Sequence, residues 1–459
     1  MSWTTDETAR LMAILLLMAV GSSVRSEDPF PTVPDNWLPP SVFEDPEVSL
    51  ASAVHAPKQS SPAVQPADPF IYSPTDQPVL TNSFQVLSKD ALSRTLANNF
   101  TAFPDFNTGI SIQRSDIALK IGGYVKSDLI YDFNAIDSTD VFDTTTIQTS
   151  GPNRKNARFH ARQSRLSFDT RWRVSGEVVR AYIESDFFGG DPEGPSNFRL
   201  RHAYGNIGNF TAGQTWTTFT DPSAIPQTLD FEGAVSSVKR RQGLVRWDQR
   251  LGNAGFSVAT ALEDPGSLIV GANPLNGHPR SESPDWISRL RLERDWGSLQ
   301  IAMVLRELGY QPIGEPVISG TARGVNFTGS ALLIESSRAY FQITYGDGIG
   351  SYRGSPDVVA TGPNTGALLP VFGWMVGVHH EWSSRLTSNF TFSRLGLGPV
   401  PGQSPDDLKV TNYLAVNLIA NPYDRVFCGI EYLNGLREDI GGATGDAHRL
   451  QSSFGFFLP

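Results

Sequence analysis

Residues 180–190 read RAYIESDFFGG, and this stretch decides the fold class. Every second position is charged or polar, namely Arg180, Tyr182, Glu184 and Asp186. The positions between them hold Ala181, Ile183, Ser185 and Phe187. Because successive side chains of a strand point to opposite faces, the stretch predicts a strand with one face in water and the other in an apolar medium. A soluble sheet can alternate in the same way, so the number of such strands has to decide.

The same alternation recurs from about Ile112 to the C-terminus. It is seen in residues 116–133 (DIALKIGGYVKSDLIYDF), 298–307 (SLQIAMVLRE), 337–348 (SRAYFQITYGDG), 424–435 (DRVFCGIEYLNG) and 449–459 (RLQSSFGFFLP). Clusters of Gly, Asn, Asp and Pro separate the runs, as expected for turns. These 348 residues, at roughly 20–22 per strand with its connection, predict an all-β transmembrane antiparallel β-barrel of about 16 strands. A barrel of that width encloses a water-filled lumen.

A soluble propeller or a pair of sandwiches is the alternative fold. A propeller would show a fixed repeat with a signature in each blade, and the sequence has none. In strands such as FRLRHAY (198–204), the face that carries the charged side chains could line a water-filled lumen as well as an outer surface. The N-terminus favours the barrel, because Leu11–Val20 is an apolar run of ten residues. Such a run is too short to span a bilayer and has the length of a signal-peptide core.

The chain divides into three predicted segments. Residues 1–26 are predicted to be a signal peptide, which directs export to the cell outer membrane. Residues 27–110 form a Pro-rich, mostly disordered periplasmic linker with a possible short helix at 86–100. Residues 111–459 form the barrel domain. The linker also holds much of the acidity: residues 27–109 carry ten acids and three bases, which leaves 35 acids and 32 bases for the rest of the mature chain.

Within the barrel segment, arginine is concentrated between residues 154 and 250. Arginines that face the lumen present fixed forks to carboxylate or phosphate groups and lower the barrier for anions. The predicted pore-lining residues are Lys120, Lys126, Arg165, Arg180, Glu184, Asp186, Arg199, Arg201, Arg246, Arg289 and Arg291. Two alternatives remain open. The bases could contact lipopolysaccharide phosphates, or they could pair with Glu184, Asp186 and Asp128 across the lumen.

A long connection, TDPSAIPQTLDFEGAVSSVKRR at residues 220–241, separates two of the predicted strands. Loops of this length are usually functional. In so wide a barrel it could fold inward and narrow the pore. We therefore predict a constriction loop that contains Asp221, Lys239, Arg240 and Arg241.

Nothing in the sequence indicates catalysis or a bound cofactor. Cys428 is the one cysteine, the seven histidines show no metal-ligand spacing, and no G-x-S-x-G motif occurs. The favoured function is an outer-membrane porin that conducts small hydrophilic solutes passively with a preference for anions, with outer-membrane lipid around it and no nucleic-acid partner. The competing class is a non-conducting structural or adhesive barrel with a plugged lumen. A barrel enzyme is a distant third.

Several motifs occur in the order seen in a known family. They are IGGYVKSDLIYDF, ARQSRLSFDTR, AYIESDFFGG, FRLRHAYGNIGNFTAGQTWTTFTDP, YGDGIGSY and AHRLQSSFGFF. From about Ser115 to the C-terminus the chain resembles DcaP-type outer-membrane porins, which are related to phosphate-selective porins.

The resemblance implies a homotrimer of 16-stranded barrels that pass small anionic solutes such as dicarboxylates. It also implies an inward-folded third loop around residues 221–241 and a pore lined by Arg165, Arg199, Arg201 and Arg246. The chain departs from the family in two respects. A Pro-rich acidic segment replaces the coiled coil that many members carry before the barrel, and Leu458 and Pro459 follow the last aromatic residue.

Overall fold

The computed structural model describes residues 110–113, 117–192, 194–271, 277–362 and 365–458. The predicted signal peptide, linker and short helix lie outside the described residues, so these three assignments stay predictions. Among the residues that are described, no helix is long and apolar enough to cross a membrane.

Strands make up most of the described chain. They are β1 (Ile110–Gln113), β2 (Ile117–Asp132), β3 (Asn156–His160), β4 (Arg165–Val174), β5 (Glu177–Gly189), β6 (Asn197–Ile207), β7 (Phe210–Trp216), β8 (Arg241–Leu251), β9 (Phe256–Glu263), β10 (Ile269–Val270), β11 (Gly277–Pro279), β12 (Asp285–Arg294), β13 (Gly297–Pro312), β14 (Ile318–Ile334), β15 (Ser337–Asp347), β16 (Val358–Gly362), β17 (Thr365–Leu368), β18 (Pro370–Ser383), β19 (Leu386–Leu397), β20 (Leu408–Tyr423), β21 (Val426–Asp439) and β22 (Thr444–Phe457). Short 3₁₀ helices are found at Thr144–Thr146, Pro222–Ala224 and Gly350–Arg353.

Sixteen of the described strands close into one antiparallel barrel, which confirms the predicted fold class. Each pairs with the next along the chain, from β2 through β4–β9, β12–β15 and β18–β21 to β22. The barrel closes where β22 pairs with β2, with Tyr124 opposite Phe457 and Asp132 opposite Arg449. Strands β3 and β11 extend the edges of β4 and β12, and β1 pairs with the start of β2. Strands β10, β16 and β17 form a small separate sheet.

The connections differ in length between the two ends of the barrel. At one end the described turns are short, and the turn between β4 and β5 consists of Ser175 and Gly176, both at positive φ (51° and 90°). Such two-residue turns match the twist of the paired strands. The longer connections lie at the other end. We call residues 133–155 loop L1, 217–240 loop L3, 264–284 loop L4 and 348–369 loop L6.

The two faces of the wall have the polarity that the alternation predicts. In β5, Arg180, Glu184 and Asp186 are buried, whereas Ile183 between them is 50% exposed. The outward, exposed side chains of the other strands are mainly large and apolar, as lipid-facing positions require. The inward positions are charged or polar and buried, because loops L1, L3 and L6 fold into the lumen against them.

An apolar cluster joins these loops inside the loop end of the barrel. Phe142 and Ile147 of L1, Phe219 and Val238 of L3, and Ile349 of L6 pack there, together with inward residues of β18–β22. The lumen is therefore partly filled by the chain itself, and the space that remains is set by the course of the loops.

Candidate functional site

Loop L3 enters the lumen directly after β7 and first contacts β12 and β14. The carbonyl oxygen of Phe219 accepts a hydrogen bond from Asn326 Nδ2 at 2.8 Å. Asp221 forms an ion pair with Arg291 at 2.9 Å and accepts a hydrogen bond from Thr328 Oγ1 at 2.7 Å. Burial alone would raise the pKa of Asp221, but Arg291 and the hydrogen bonds to the carboxylate hold the pKa below its usual value. This end of L3 is thus fixed on β12 and β14.

The middle of L3 is held by the far wall. Asn417 Nδ2 donates to the carbonyl oxygen of Gln227 at 2.9 Å. The backbone amides of Leu229 and Asp230 donate to the two carboxylate oxygens of Glu431 at 3.0 and 2.6 Å. Lys126 Nζ donates to the carbonyl oxygen of Leu229 at 2.7 Å. Lys126, a predicted pore-lining residue, is therefore engaged in holding the loop.

The returning part of L3 lies against β5 and loop L6. The ring of Phe231 stacks on that of Phe188, with 3.9 Å between centroids. Lys239 Nζ contacts the carboxylate of Glu232 within the loop. Near the end of L3, Arg353 Nη2 donates to the carbonyl oxygen of Val235 at 3.1 Å. The loop predicted to form the constriction does fold inward, and its course follows most of the inner circumference.

The predicted arginines of β4–β6 lie together on one wall, each beside a carboxylate. Arg201 contacts Glu184 at 2.6 Å and Asp186 at 3.0 Å. Arg199 also contacts Asp186, at 2.6 Å, and Arg165 lies 3.7 Å from Glu184. The alternative in which arginines pair with Glu184 and Asp186 therefore describes these contacts. The third acid of that alternative, Asp128, instead pairs with Lys126 at 2.8 Å.

Arg180 and the arginines of β8 and β12 have acidic partners that the sequence interpretation did not select. Arg180 pairs with Asp169 at 3.0 Å. Arg246 and Arg289 share Asp248, at 2.9 and 2.7 Å. A signal for these acids was present, because Asp169-x-Arg171 and Arg246-x-Asp248 place an acid and a base on the same face of one strand.

A small cavity of about 30 Å³ lies below the start of L3 on this wall. Arg246, Arg289 and Arg291 line it, together with Asp221 and the polar residues Thr215, Thr217, Thr220 and Gln300. Three arginines from two strands thus meet at one place, where two carboxylates partly balance them.

The distribution of charge is uneven around the barrel. On β4–β9 and β12, nine arginines and six carboxylates face inward with no more than 12% of the side chain exposed. They are Arg165, Arg171, Arg180, Arg199, Arg201, Arg241, Arg246, Arg289 and Arg291 against Asp169, Glu184, Asp186, Asp248, Glu263 and Asp285. We call this surface the basic wall.

The rest of the barrel is slightly acidic. The buried charged side chains on β2 and β13–β22 in the described residues are Lys126, Arg306 and Arg449 against Asp128, Asp132, Glu431 and Asp439. Counted on the strands alone, the basic wall has a surplus of three positive charges and the rest of the barrel has a surplus of one negative charge. Asp221 of L3 offsets part of the positive surplus at Arg291. We therefore expect the potential to be more positive along the basic wall than on the other side of the lumen.

A larger cavity of about 530 Å³ lies above L3, between L3, L4 and L6. The basic residues that line it are Lys239, Arg240, Arg241, Arg280 and Arg353, and Asp264 is the acidic one. We call it the outer cavity. It contains three of the four residues that were predicted for the constriction, whereas Asp221 lies at the small cavity.

The three consecutive bases of L3 and β8 have different surroundings. Lys239 faces Glu232, as described above. Arg240 Nη1 donates to Ser351 Oγ at 2.7 Å. Arg241 lies over the ring of Trp216, 3.7 Å from its centroid, and its Nε contacts His202 Nε2 at 3.2 Å. Lys120 is half-buried near the short-turn end of β2, where it lies opposite Asp169 of β4.

Comparison with known proteins shows what this chain is similar to. The family model of the DcaP outer membrane protein matches residues 85–273. The outer membrane channel DcaP of Acinetobacter baumannii has a similar structure, with a TM-score of 0.68 and 19% sequence identity over 76% of this chain and 100% of that one. OmpF of Salmonella typhi, solved with daunomycin, gives a TM-score of 0.50 and 10% identity over 76% of this chain and 100% of that one. Comparison with curated proteins gives no match. The resemblance inferred from the motifs is confirmed, and the fold is that of outer-membrane channels.

Proposed function

We propose that this outer-membrane barrel of the DcaP type is a porin through which small hydrophilic solutes diffuse passively, with a preference for anions. The resemblance extends the proposal to dicarboxylates as solutes and to a homotrimer as the assembly. The family and the fold are those of outer-membrane channels, and the proposal includes no catalytic step.

The observation that carries the anion preference is the composition of the basic wall. Nine arginines against six carboxylates leave a local surplus of positive charge, although the barrel segment as a whole is close to neutral. The charges lie in a confined, loop-lined space of low dielectric, where they act on a passing ion more strongly than they would in bulk water. The basic outer cavity continues the same sign of charge toward the loop end.

Planar-bilayer recording of the purified protein under a KCl gradient tests this function. We expect stable steps that occur in groups of three, with a reversal potential on the anion-selective side. Arg289→Gln should move the reversal potential toward zero, because Arg289 lines the small cavity and Asp248 keeps Arg246 as a partner. The matched control is Arg385→Gln, which removes the same charge from an exposed short turn and should leave the reversal potential unchanged. Cation-selective conduction would contradict the anion preference but would still support passive diffusion through a porin.

A non-conducting structural barrel is the second candidate, and one observation favours it. Loop L3 is bonded to both walls, and L1 and L6 pack on it in a continuous apolar cluster. Folded protein that inserts into bilayers without any conductance would support this candidate and contradict the porin.

A further inference from the structure

The outer cavity has a composition that the general anion preference does not require. Its volume of about 530 Å³ is within the range of small-molecule binding sites and far larger than a single inorganic ion needs. Five basic side chains line it against one acidic one, together with Ser267, Ser281, Ser351 and Tyr352 and the apolar Pro265, Leu268 and Pro279. Charge, hydroxyl groups and apolar surface are thus combined in one cavity.

Arg353 is the unusual residue of this cavity. It is 4% exposed, and its one described hydrogen bond is the donation from Nη2 to the carbonyl oxygen of Val235 at 3.1 Å. Its Nε and Nη1 are buried without a hydrogen-bond partner. Burial, with no carboxylate to offset it, lowers the pKa of Arg353 to about 9. The arginines of the basic wall other than Arg241 each have a described carboxylate at ion-pair distance, so Arg353 differs from those eight.

The barrel wall provides a specific place for this guanidinium. Gly373 of β18 faces inward beneath it, and a Cβ added at Gly373 would lie 2.5 Å from Nη1. Glycine at this position therefore leaves the space that the guanidinium occupies. A buried charge without a partner is costly, and an anion bound in the cavity that Arg353 lines would offset that cost.

From this geometry we propose that the outer cavity binds a phosphomonoester with an uncharged polar body, and that Arg353 and Arg240 hold the phosphate group. The proposal deepens the proposed function and rests on it for the supply of solute, but binding itself does not require conduction. A phosphomonoester carries close to two negative charges and three acceptor oxygens on one group. A cluster of bases at one place suits it better than it suits a dicarboxylate, whose charges lie at opposite ends.

Arg240 and Arg353 both line the outer cavity, and each has a different described partner. Arg240 donates to Ser351 at 2.7 Å, two residues before Arg353 in the 3₁₀ turn of L6. Arg guanidinium groups bind phosphate oxygens in bidentate fashion, and hydrogen bonds between two charged groups are stronger than neutral ones. The serine hydroxyl groups of the cavity can form hydrogen bonds with the rest of the ligand, and the prolines provide an apolar surface for it. The phosphate could belong to a soluble solute or to the lipopolysaccharide that surrounds the loops.

Titration calorimetry on the full, folded protein in detergent tests the proposal without any need for conduction. The probes are glucose 6-phosphate, glucose, succinate and detergent-dispersed lipopolysaccharide. We expect glucose 6-phosphate to bind once per chain, with an affinity that falls as salt is added, and glucose and succinate to bind at least roughly tenfold more weakly. Binding of lipopolysaccharide that glucose 6-phosphate displaces would show the same phosphate site used by the lipid.

Three variants locate the site. Arg353→Gln and Arg240→Gln should each weaken glucose 6-phosphate by roughly tenfold or more, since each removes charged hydrogen bonds. Arg240 is only half-buried, so its variant remains informative if Arg353→Gln does not fold. Arg385→Gln in the exposed short turn is the matched control and should bind normally.

The proposal is overturned if no probe with a phosphate group binds, if succinate binds as well as glucose 6-phosphate, or if neither arginine variant changes the affinity. These results would leave an anion-selective reversal potential untouched. Conversely, a protein that binds glucose 6-phosphate at Arg353 without conducting would contradict the porin and keep the site.

Discussion

At the scale of single residues, the shared carboxylates set how much positive charge the basic wall shows to a solute. Asp186 pairs with both Arg199 and Arg201 at 2.6 and 3.0 Å and is fully buried. Asp186→Asn should raise the anion preference, because the surplus of positive charge grows by one. The reversal potential under a KCl gradient should move further to the anion side. Stability should fall by about 1–3 kcal/mol, since Glu184 remains as a partner of Arg201.

Asp446→Asn is the control for Asp186, because Asp446 is an acid on β22 whose side chain is 53% exposed. An equal shift in both variants would mean that net charge, and not the wall, sets the selectivity. A shift toward cations in Asp186→Asn would contradict the assignment of the wall as the selective surface.

The alternation of residues was sufficient to predict which side chains of β5 face inward, because a strand has a period of two. The partners across strands could not be predicted in the same way. Opposite Glu184 and Ser185 the register of β6 shifts, and the bulge turns both Arg201 and His202 inward. A bulge depends on how two strands fit together, so one strand's pattern does not contain it.

At the scale of elements, the acidic middle of L3 should make the loop sensitive to pH. Burial is the largest cause that raises the pKa of Glu232 to about 7, and Asp143 and Asp230 add to it, while Lys239 opposes them. A carboxyl group whose pKa is raised on folding stabilises the fold fully below its unfolded pKa of about 4.3 and loses that contribution as the pH rises through about 7. Loop L3 should therefore be held more firmly at pH 5 than at pH 8.

Hydrogen–deuterium exchange of residues 229–240, corrected for the intrinsic dependence on pH, measures this effect. We expect faster exchange at pH 8 in the natural protein and little difference in Glu232→Gln. Arg199 and Tyr413 also interact with Glu232 from the two walls, so they must stay unchanged in the comparison. Glu335→Gln, in an exposed short turn, is the control. A pH dependence that survives in Glu232→Gln would show that another group is responsible.

The inward fold of L3 was predictable from its length and from the family resemblance, but its path was not. The contacts that fix it come from residues far apart in sequence, such as Glu431, Asn417 and Asn326. Loops L1 and L6 gave no comparable signal. Phe142 and Tyr352 are single aromatic residues in polar stretches, and only their packing in the lumen shows that these loops also fold inward.

At the scale of the whole molecule, the number of strands followed from chain length, because each barrel strand with its connection uses a similar number of residues. The local surplus of positive charge on the basic wall could not be predicted from the composition. The barrel segment is nearly neutral, and the basic wall arises because the arginine-rich strands β4–β8 are neighbours in the closed sheet. The separation of charge depends on the order of the strands around the barrel, and the net charge of the barrel segment does not contain that information.

Closure of the barrel gives the last prediction, because a buried ion pair crosses the seam between β2 and β22 beside the backbone ladder. Arg449 of β22 contacts both carboxylate oxygens of Asp132 of β2, at 2.6 and 3.1 Å, and also donates to the carbonyl oxygen of Ser138 in L1 at 2.9 Å. Asp132→Asn leaves a fully buried guanidinium without its carboxylate and should cost roughly 3–5 kcal/mol in the free energy of unfolding. Urea unfolding of the detergent-solubilised protein measures the loss.

The double variant Asp132→Asn/Arg449→Gln separates the ion pair from the strand contacts around it. Removal of both charges should recover part of the stability, since no uncompensated charge then remains in the seam. Asp424→Asn, in the exposed turn before β21, should change the stability by less than about 0.5 kcal/mol. If the double variant is as unstable as the sum of the two single ones, the pair contributes no coupling. Closure must then depend on the backbone ladder between β2 and β22, which keeps Tyr124 opposite Phe457 at the other end of the seam.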